Sequence, residues 1–272
     1  MPKHLNTAHR INLVLRPFPK LRRKIETIGA KYYCLRENSD YDLNYNGERW
    51  IAQKLERQAL LNTVFDVGAN LGDWTAMILE ANPASRVDCF EICPPTFQKL
   101  SARFSSGSGH RPNIFLNSFG LSDVEAQIHI KHLTDNDGGG TMFILQKNQK
   151  TETIPALVRR GCDYCLERNI VKIDFLKMDV EGAEDLVLKG FGDMLHASRI
   201  PVVQFEYGMC NIVTKFLLRD FYHYFESRGY KIGKLFPDFV RFRDYRFEDE
   251  NFLGPNYIAV RPDLVPLLKG AG

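Results

Sequence analysis

Apolar and polar positions along the middle of the chain predict short strands that alternate with helices. Residues 63–67 are apolar or β-branched except for Asp66. Gly68 and Gly72 follow, and a helical pattern begins at residue 73. This order predicts a strand, a tight turn and a helix, which together form the first crossover of a nucleotide-binding α/β sheet. Glycine suits the turn because other residues are excluded from its backbone conformations and a side chain would hold a ligand off the main chain.

The same patterns extend the prediction over the rest of the chain. A helix is predicted at residues 48–60, and apolar runs predict further strands at residues 86–91, 114–116, 173–179, 202–207, 230–235 and 256–260. The last two strands would be joined by an insertion, residues 236–255, and would supply an antiparallel strand. Strands that alternate with helices indicate an α/β fold, with a mostly parallel sheet and helices on both of its faces.

Several of these strands end in a carboxylate. Asp66, Glu91, Asp179 and Glu206 each stand at or near the carboxyl end of a predicted strand. We expect them to meet in one crevice, because ligands bind outside the carboxyl ends of parallel strands. Glu91 is suited to accept hydrogen bonds from both hydroxyls of a ribose. Asp66 and Asn70 disfavour a dinucleotide pyrophosphate, and a carboxylate there suits the ammonium group of an amino acid.

Two motifs together carry a family resemblance. The run Asp66-x-Gly68-x-Asn70-x-Gly72 resembles motif I of the class I S-adenosylmethionine-dependent methyltransferases. A second run with it makes residues 41–210 resemble the FkbM family of methyltransferases: Lys177-Met178-Asp179-Val180-Glu181-Gly182-Ala183-Glu184. The resemblance implies a single Rossmann-like domain whose seven-stranded sheet has an antiparallel terminal strand. It also implies S-adenosylmethionine as the cofactor and an O-methyltransferase acting on a sugar hydroxyl of a glycan, glycolipid or natural product.

The cofactor is expected along the first turn and the neighbouring strand ends. Trp74 is expected either near the methionine end of the cofactor or in the core. The resemblance assigns the adenine to the loop after the third strand. The candidate cofactor-binding residues are Asp66, Gly68, Asn70, Gly72, Trp74, Glu91, Ser122 and Asp123.

Acidic residues are also the candidates for the transfer chemistry, because an alcohol reacts as a nucleophile only when its proton has an acceptor. Asp179 is the leading candidate for the base or for a ligand of the acceptor hydroxyl, with Glu181 and Glu206 in support. A helix-capping role for Asp179 remains the structural alternative. Crowded carboxylates suit either a base of raised pKa or a bound Mg²⁺ held by Asp179 and Glu206, and the sequence leaves both open.

Composition and charge set the domain organisation. With 272 residues, 44% hydrophobic and 25% charged, the chain suits one large α/β domain at residues 41–265, followed by a tail at residues 266–272. Residues 1–40 are expected to form a basic arm with short helices, since residues 1–36 hold nine Lys or Arg against one acid. This arm would either contact an anionic surface or remain a solvated tail. The apolar runs are too short for a membrane span or a secretory signal, which favours a cytoplasmic location.

Other readings stay open at this stage. The basic arm leaves RNA as an alternative acceptor, although a small molecule or a glycan is favoured. A nicotinamide oxidoreductase would also use Glu91 to hold a ribose, and a non-catalytic nucleotide-binding module would keep the same fold. Residues 135–141 contain three glycines, and we expect them to form a lid or a loop that contacts the acceptor.

Overall fold

The computed structural model describes residues 7–105, 112–133, 140–141, 150–196 and 198–270. Twelve strands lie within these residues: β1 Thr63–Val67, β2 Arg86–Phe90, β3 Ile114–Asn117, β4 Gly120–Ser122, β5 Ala126–Leu133, β6 Gly140–Thr141, β7 Thr151–Arg160, β8 Phe175–Met178, β9 Val202–Glu206, β10 Lys231–Phe236, β11 Phe239–Phe242 and β12 Asn256–Val260. The glycine-rich loop expected to form a lid falls mainly on residues 134–139, outside the described part of the chain.

Ten α-helices connect or flank these strands within the described residues: α1 Thr7–Leu15, α2 Pro19–Arg36, α3 Glu48–Glu56, α4 Asp73–Ala81, α5 Pro94–Ser105, α6 Gly161–Glu167, α7 Glu184–Phe191, α8 Cys210–Thr214, α9 Leu218–Glu226 and α10 Val265–Leu268. Short 3-10 turns lie at Gly192–Met194, Phe247–Asp249 and Pro262–Leu264. Among the described residues, no helix is both long and apolar enough to cross a membrane.

The main sheet has eight strands in the order β11-β10-β12-β9-β8-β1-β2-β3. The five strands from β9 to β3 are parallel, and β12 runs antiparallel between β9 and β10. The α/β fold is therefore confirmed, but the expected count of seven strands was one too low. The additional strand, β11, lies inside the expected insertion and pairs with β10 through a tight turn at Pro237 and Asp238. This pairing buries Val240 completely.

A second sheet of four strands, in the order β4-β7-β5-β6, was not expected from the sequence. The third strand of the main sheet ends at Asn117, and the chain then enters this second sheet at Gly120. Helix α7 packs closely on β4, because a Cβ atom at Gly190 would lie 1.9 Å from the carbonyl oxygen of Ser122. This close contact holds Ser122 near the carboxyl ends of the main strands.

Apolar side chains cover both faces of the main sheet. Neighbouring residues of a strand point to opposite faces. Phe65 therefore belongs to the cluster that contains Tyr164 and Phe191, whereas Val64 belongs to the cluster that contains Trp74. The Trp74 face of β1 is not entirely apolar, however, because the buried Asp66 also lies on it. A polar group at this depth needs a partner, and the site provides one.

The basic arm is helical and lies outside the core. No residue of α2 is buried. The arm is joined to the sheet at Glu37, whose Oε2 lies 3.1 Å from Arg241 Nη2 and 3.7 Å from Lys234 Nζ. Next to it, Asn38 Nδ2 donates to the carbonyl oxygen of Leu235 at 2.9 Å. The arm therefore leaves the body of the protein from a fixed point beside β10.

Candidate active site

The first turn after β1 needs both of its glycines, for different reasons. Gly68 has a φ of +81°, and a Cβ atom there would lie 1.8 Å from the carbonyl oxygen of Asp179. Gly72 has a φ of +84°, and its Cβ would lie 2.4 Å from the ring of Phe104 on α5. Gly68 therefore lets the end of β8 approach the turn, whereas Gly72 lets α5 pack on α4. Asn70 also has a positive φ, +49°, a conformation that Asn tolerates better than most residues.

A cleft lies above this turn at the carboxyl ends of the strands, and we call it the strand-end cleft. Six of the predicted site residues line it: Gly68, Asn70, Glu91, Ser122, Asp179 and Glu181. Ser122 lies in its wall, and the Ser122 hydroxyl donates to Asp123 Oδ1 at 3.2 Å. Asp123 itself is not part of the lining, and neither is Gly72.

Glu91 is held firmly at the edge of the strand-end cleft. Its Oε2 accepts from the N–H of Asn70 and its Oε1 from the N–H of Cys93, each at 2.8 Å. Burial raises the pKa of Glu91, while these two hydrogen bonds act in the opposite direction. Each carboxylate oxygen has a further lone pair for a hydroxyl donor. Glu91 therefore fits the role of accepting from a ribose.

Asp66 does not face the strand-end cleft as the sequence had suggested. It has no exposed surface, and its Oδ2 accepts from the hydroxyl of Thr75 on α4 at 2.7 Å. Its Oδ1 lies 3.1 Å from Lys177 Nζ. Asp66 points to the α4 face of the sheet, so its charge is compensated inside the protein rather than presented to a ligand.

Lys177 is the residue that sequence reasoning missed at this point. Its Nζ also donates to the carbonyl oxygen of Gly68 at 3.1 Å and lies 3.5 Å from Asp179 Oδ2. Burial alone would lower the pKa of Lys177, but the carboxylates of Asp66, Asp179 and Glu48 raise it above its ordinary value. A lysine within an otherwise apolar strand, two residues before a candidate base, was the available signal.

A second cleft, which we call the lysine cleft, adjoins the turn on its other side. Its polar lining includes Asn46, Glu48, Lys177, Asp179 and Glu206. Glu48 is buried, and its two oxygens accept from Asn46 Nδ2 at 2.7 Å and from Gln204 Nε2 at 2.5 Å. Burial raises the pKa of Glu48. These groups form a polar wall at the end of β9 and the beginning of α3.

Trp74 packs in the core and also borders a cleft. It is buried, and its ring lies 5.3 Å from the ring of Phe175, centroid to centroid. It also lines the lysine cleft. Its buried Nε1 has no hydrogen-bond partner among the described residues. An unpaired buried donor is costly, so a ligand acceptor at this position would be favoured.

Three acids that were predicted as catalytic come together beside these clefts. Asp179 lines both clefts, while Glu206 and Glu181 also line a third cavity, the acid cavity. Burial, together with the charge of the neighbouring Asp179, raises the pKa of Glu206 well above its usual range. Glu181 Oε2 accepts from the thiol of Cys210 at 3.1 Å. The three cavities therefore meet at the Asp179–Glu206 pair.

Glu184 and Tyr41 also line the acid cavity, although the sequence did not single them out. Glu184 Oε1 accepts from the N–H groups of Val180 and Gly182 at 3.2 and 3.3 Å. Its Oε2 is buried without a partner among the described residues. Burial raises the pKa of Glu184 to about 7. Its place in the second motif was the only signal that could have identified it.

The described residues contain no group of three or more His, Cys, Asp or Glu side chains arranged to hold a metal ion. The candidate Mg²⁺ ligands, Asp179 and Glu206, both line the lysine cleft. Whether this pair holds Mg²⁺ is tested by chelation with EDTA.

Comparison with known proteins identifies the family to which this chain belongs. A family model described as the methyltransferase FkbM domain matches residues 66–232. The 2-O-methyltransferase NoeI of Sinorhizobium fredii is 27% identical over 157 residues, which is 53% of this chain and 63% of that protein. The 31-O-demethyl-FK506 methyltransferase FkbM of Streptomyces tacrolimicus is 31% identical over 156 residues, 48% of this chain and 60% of that protein.

The chain thus spans somewhat less than two thirds of the length of these two relatives. Among solved structures, a methyltransferase FkbM from Methylobacillus flagellatus is similar with a TM-score of 0.45 and 17% identity, over 74% of this chain and 44% of that chain. The family model covers more than half of the present chain and includes both motifs. The protein therefore belongs to the FkbM family of methyltransferases.

Proposed function

We propose that the protein is an S-adenosylmethionine-dependent O-methyltransferase whose acceptor is a hydroxyl of a sugar in a glycan, glycolipid or natural product. The observation that carries this proposal is the position of the Asp179–Glu206 pair, where the strand-end cleft, the lysine cleft and the acid cavity meet. The names of the two bacterial relatives both specify transfer to oxygen.

The residues of the two clefts fit the cofactor. When bound, S-adenosylmethionine supplies a methyl group on a positively charged sulfur. Glu91 would accept from the ribose hydroxyls, and Ser122 lies on the side expected for the adenine. Glu48, rather than Asp66, would receive the ammonium group, because Asp66 is already neutralised by Lys177. The unpaired Trp74 Nε1 suits the carboxylate of the same ligand.

Asp179 would take the proton of the acceptor hydroxyl. The O–H bond of the acceptor would break as its oxygen took the methyl group, and the proton would move to the Asp179 carboxylate, while the donor would leave with the electrons of its broken bond. The raised pKa of Glu206 favours its protonated form. Lys177 Nζ lies 3.5 Å from Asp179 Oδ2 and would hold the Asp179 carboxyl group in position.

The acid cavity is our candidate for the acceptor site. It is lined by the carboxyl groups of Glu181, Glu184 and Glu206, with the exposed Tyr41 at its rim. Carboxylates accept hydrogen bonds readily, and a polyhydroxy compound offers many donors. The free Oε2 of Glu184 is one acceptor that a sugar hydroxyl would satisfy. A sugar therefore matches this lining better than an apolar acceptor does.

The cofactor half of the proposal is tested by calorimetry with S-adenosylhomocysteine. Glu91→Gln removes the carboxylate that would accept from the ribose, and we expect a loss of affinity of about tenfold to a hundredfold. Asp123→Asn, a neighbouring acid outside the cleft lining, should change the affinity by less than about threefold. Failure of the wild-type protein to bind S-adenosylhomocysteine, or tighter binding of NAD, would refute the assignment.

The transfer half is tested with a donor that carries a deuterated methyl group and a panel of free sugars, glycolipids and short RNAs, followed by mass spectrometry. We expect labelled sugars only, and we expect Asp179→Asn to abolish transfer while S-adenosylhomocysteine still binds. Labelled RNA would contradict the sugar assignment. Loss of transfer with EDTA and its recovery with Mg²⁺ would assign Asp179 and Glu206 to a metal site instead.

A further inference from the structure

An apolar stripe on the basic arm has no partner among the residues that the structure describes. Five residues of α2 recur at alternating spacings of four and three, so they lie along one side of the helix: Leu21, Ile25, Ile28, Tyr32 and Leu35. Each of them is at least 42% exposed. Exposed apolar side chains are ordinary when scattered, but a continuous stripe indicates a surface that is covered in use.

Basic residues flank this stripe on both sides. Helix α2 carries six Lys or Arg and a single acid, Glu26. In the heptad defined by the stripe, Lys24 and Lys31 lie along one flank and Arg22 and Arg36 along the other. An amphipathic helix with an apolar face bordered by cations is suited to lie in the interface of an anionic lipid membrane.

The same charges argue against a second copy of α2 as the partner. In a pair of helices joined along this stripe, the flanking positions face one another. Lys31 of one parallel helix would meet Arg36 of the other, and an antiparallel pair would bring Lys24 and Lys31 together. Like charges at these positions oppose pairing. Anionic headgroups instead complement both flanks while their acyl chains cover the stripe.

The attachment of the arm places this surface close to the acid cavity. Arg36 is the last residue of α2, and Glu37 and Asn38 fix the chain to β11 and β10. Tyr41, which lines the acid cavity, follows only five residues after Arg36. Five residues span at most about 18 Å. A surface that holds α2 would therefore lie near the rim of that cavity.

We propose that α2 forms a docking surface for an anionic lipid membrane, with its apolar stripe inserted between the lipids. The docking itself does not depend on the proposed methyl transfer. If the acid cavity receives the acceptor, as proposed above, the docking would favour an acceptor sugar that is presented at a membrane surface.

The experiment is vesicle flotation with the full chain, with no methyl donor or acceptor present, so that its outcome is independent of the catalytic proposal. We expect binding to vesicles of phosphatidylcholine with phosphatidylglycerol, weakening as NaCl is raised, and little binding to pure phosphatidylcholine. Ile25→Ser with Ile28→Ser should weaken binding at least tenfold. Lys24→Gln with Lys31→Gln should weaken it by about thirtyfold.

Matched variants separate these effects from a general change in the helix. Thr27→Ser with Ala30→Ser, off the stripe, and Lys24→Arg with Lys31→Arg should each bind within about twofold of wild type. Thermal unfolding of all variants should be unchanged, because no residue of α2 is buried. The proposal is overturned if the wild-type protein does not bind anionic vesicles, or if Ile25→Ser with Ile28→Ser does not weaken that binding. A dimer lost in the isoleucine variant, or vesicles displaced by short RNA, would likewise overturn it.

Discussion

Replacement of Lys177 by methionine tests how the site is held together. Methionine keeps much of the side-chain volume but removes the cation that lies 3.1 Å from Asp66 Oδ1. Asp66 has no exposed surface, so water cannot replace the lost partner. Removing one member of a buried ion pair typically costs about 3–5 kcal/mol, because the other charge stays buried. We expect the free energy of unfolding to fall by this amount.

Urea denaturation of Lys177→Met measures this loss, and Lys189→Met is its matched control. Lys189 Nζ lies 2.7 Å from Asp185 Oδ2, closer than the Lys177–Asp66 pair, but the Lys189 side chain is 52% exposed. An exposed pair contributes at most about 1 kcal/mol. If burial determines the loss of stability, Lys177→Met will lower the free energy of unfolding more than Lys189→Met does, although the Lys177–Asp66 distance is the longer one.

A double mutant completes the test. Asp66→Asn combined with Lys177→Met removes both charges, so the pair should recover part of the stability that Lys177→Met loses. The coupling should exceed about 1 kcal/mol because the two groups are in direct contact. Equal losses in Lys177→Met and Lys189→Met, or no recovery in the double mutant, would refute the assignment of Lys177 as the partner that compensates Asp66.

Two further predictions concern the turn and the acid cavity. Gly68→Ala should lower the free energy of unfolding by more than about 1 kcal/mol and abolish S-adenosylhomocysteine binding, because its Cβ would meet the Asp179 carbonyl. Gly29→Ala, with nothing near its Cβ, should be neutral or slightly stabilising in denaturation. The raised pKa of Glu184, about 7, means that the folded state favours its protonated form. The contribution of Glu184 to the free energy of unfolding should be largest below about pH 4.5 and should fall by about 3 kcal/mol as the pH rises from about 4.5 to about 7. Glu184→Gln should flatten this slope in denaturation measured across pH, and an unchanged slope would contradict the assignment.

Local sequence patterns were sufficient to predict the strand and the turn on which the site is built. The run before Gly68 predicted β1, and the glycines predicted the turn, because both depend on residues adjacent in the chain. The rule that parallel strands meet at one edge then predicted that Asp179 and Glu206 converge. The pairing of β8 with β1 and β9 brings the two residues into the lining of one cleft, the lysine cleft.

The errors lie where pairing between distant segments decides the structure. Strand β11 was placed in an insertion, because its four residues carry too short a pattern to be recognised alone. The four-stranded sheet was missed for a related reason, since β4 is stabilised by parallel pairing with β7, more than 30 residues later in the chain. The pairing register of two strands so far apart in the chain cannot be predicted from the sequence of either strand alone.

The sequence by itself determined the fold class, the first turn and four of the acids that border the cavities: Glu91, Asp179, Glu181 and Glu206. Only the tertiary structure decided what each of these groups faces. Asp66 was expected to meet a ligand but meets Lys177, which is 111 positions away, and Gly72 packs against Phe104 of α5. Periodicity shows which residues are buried, whereas the charge beside a buried group depends on which strands and helices pack together.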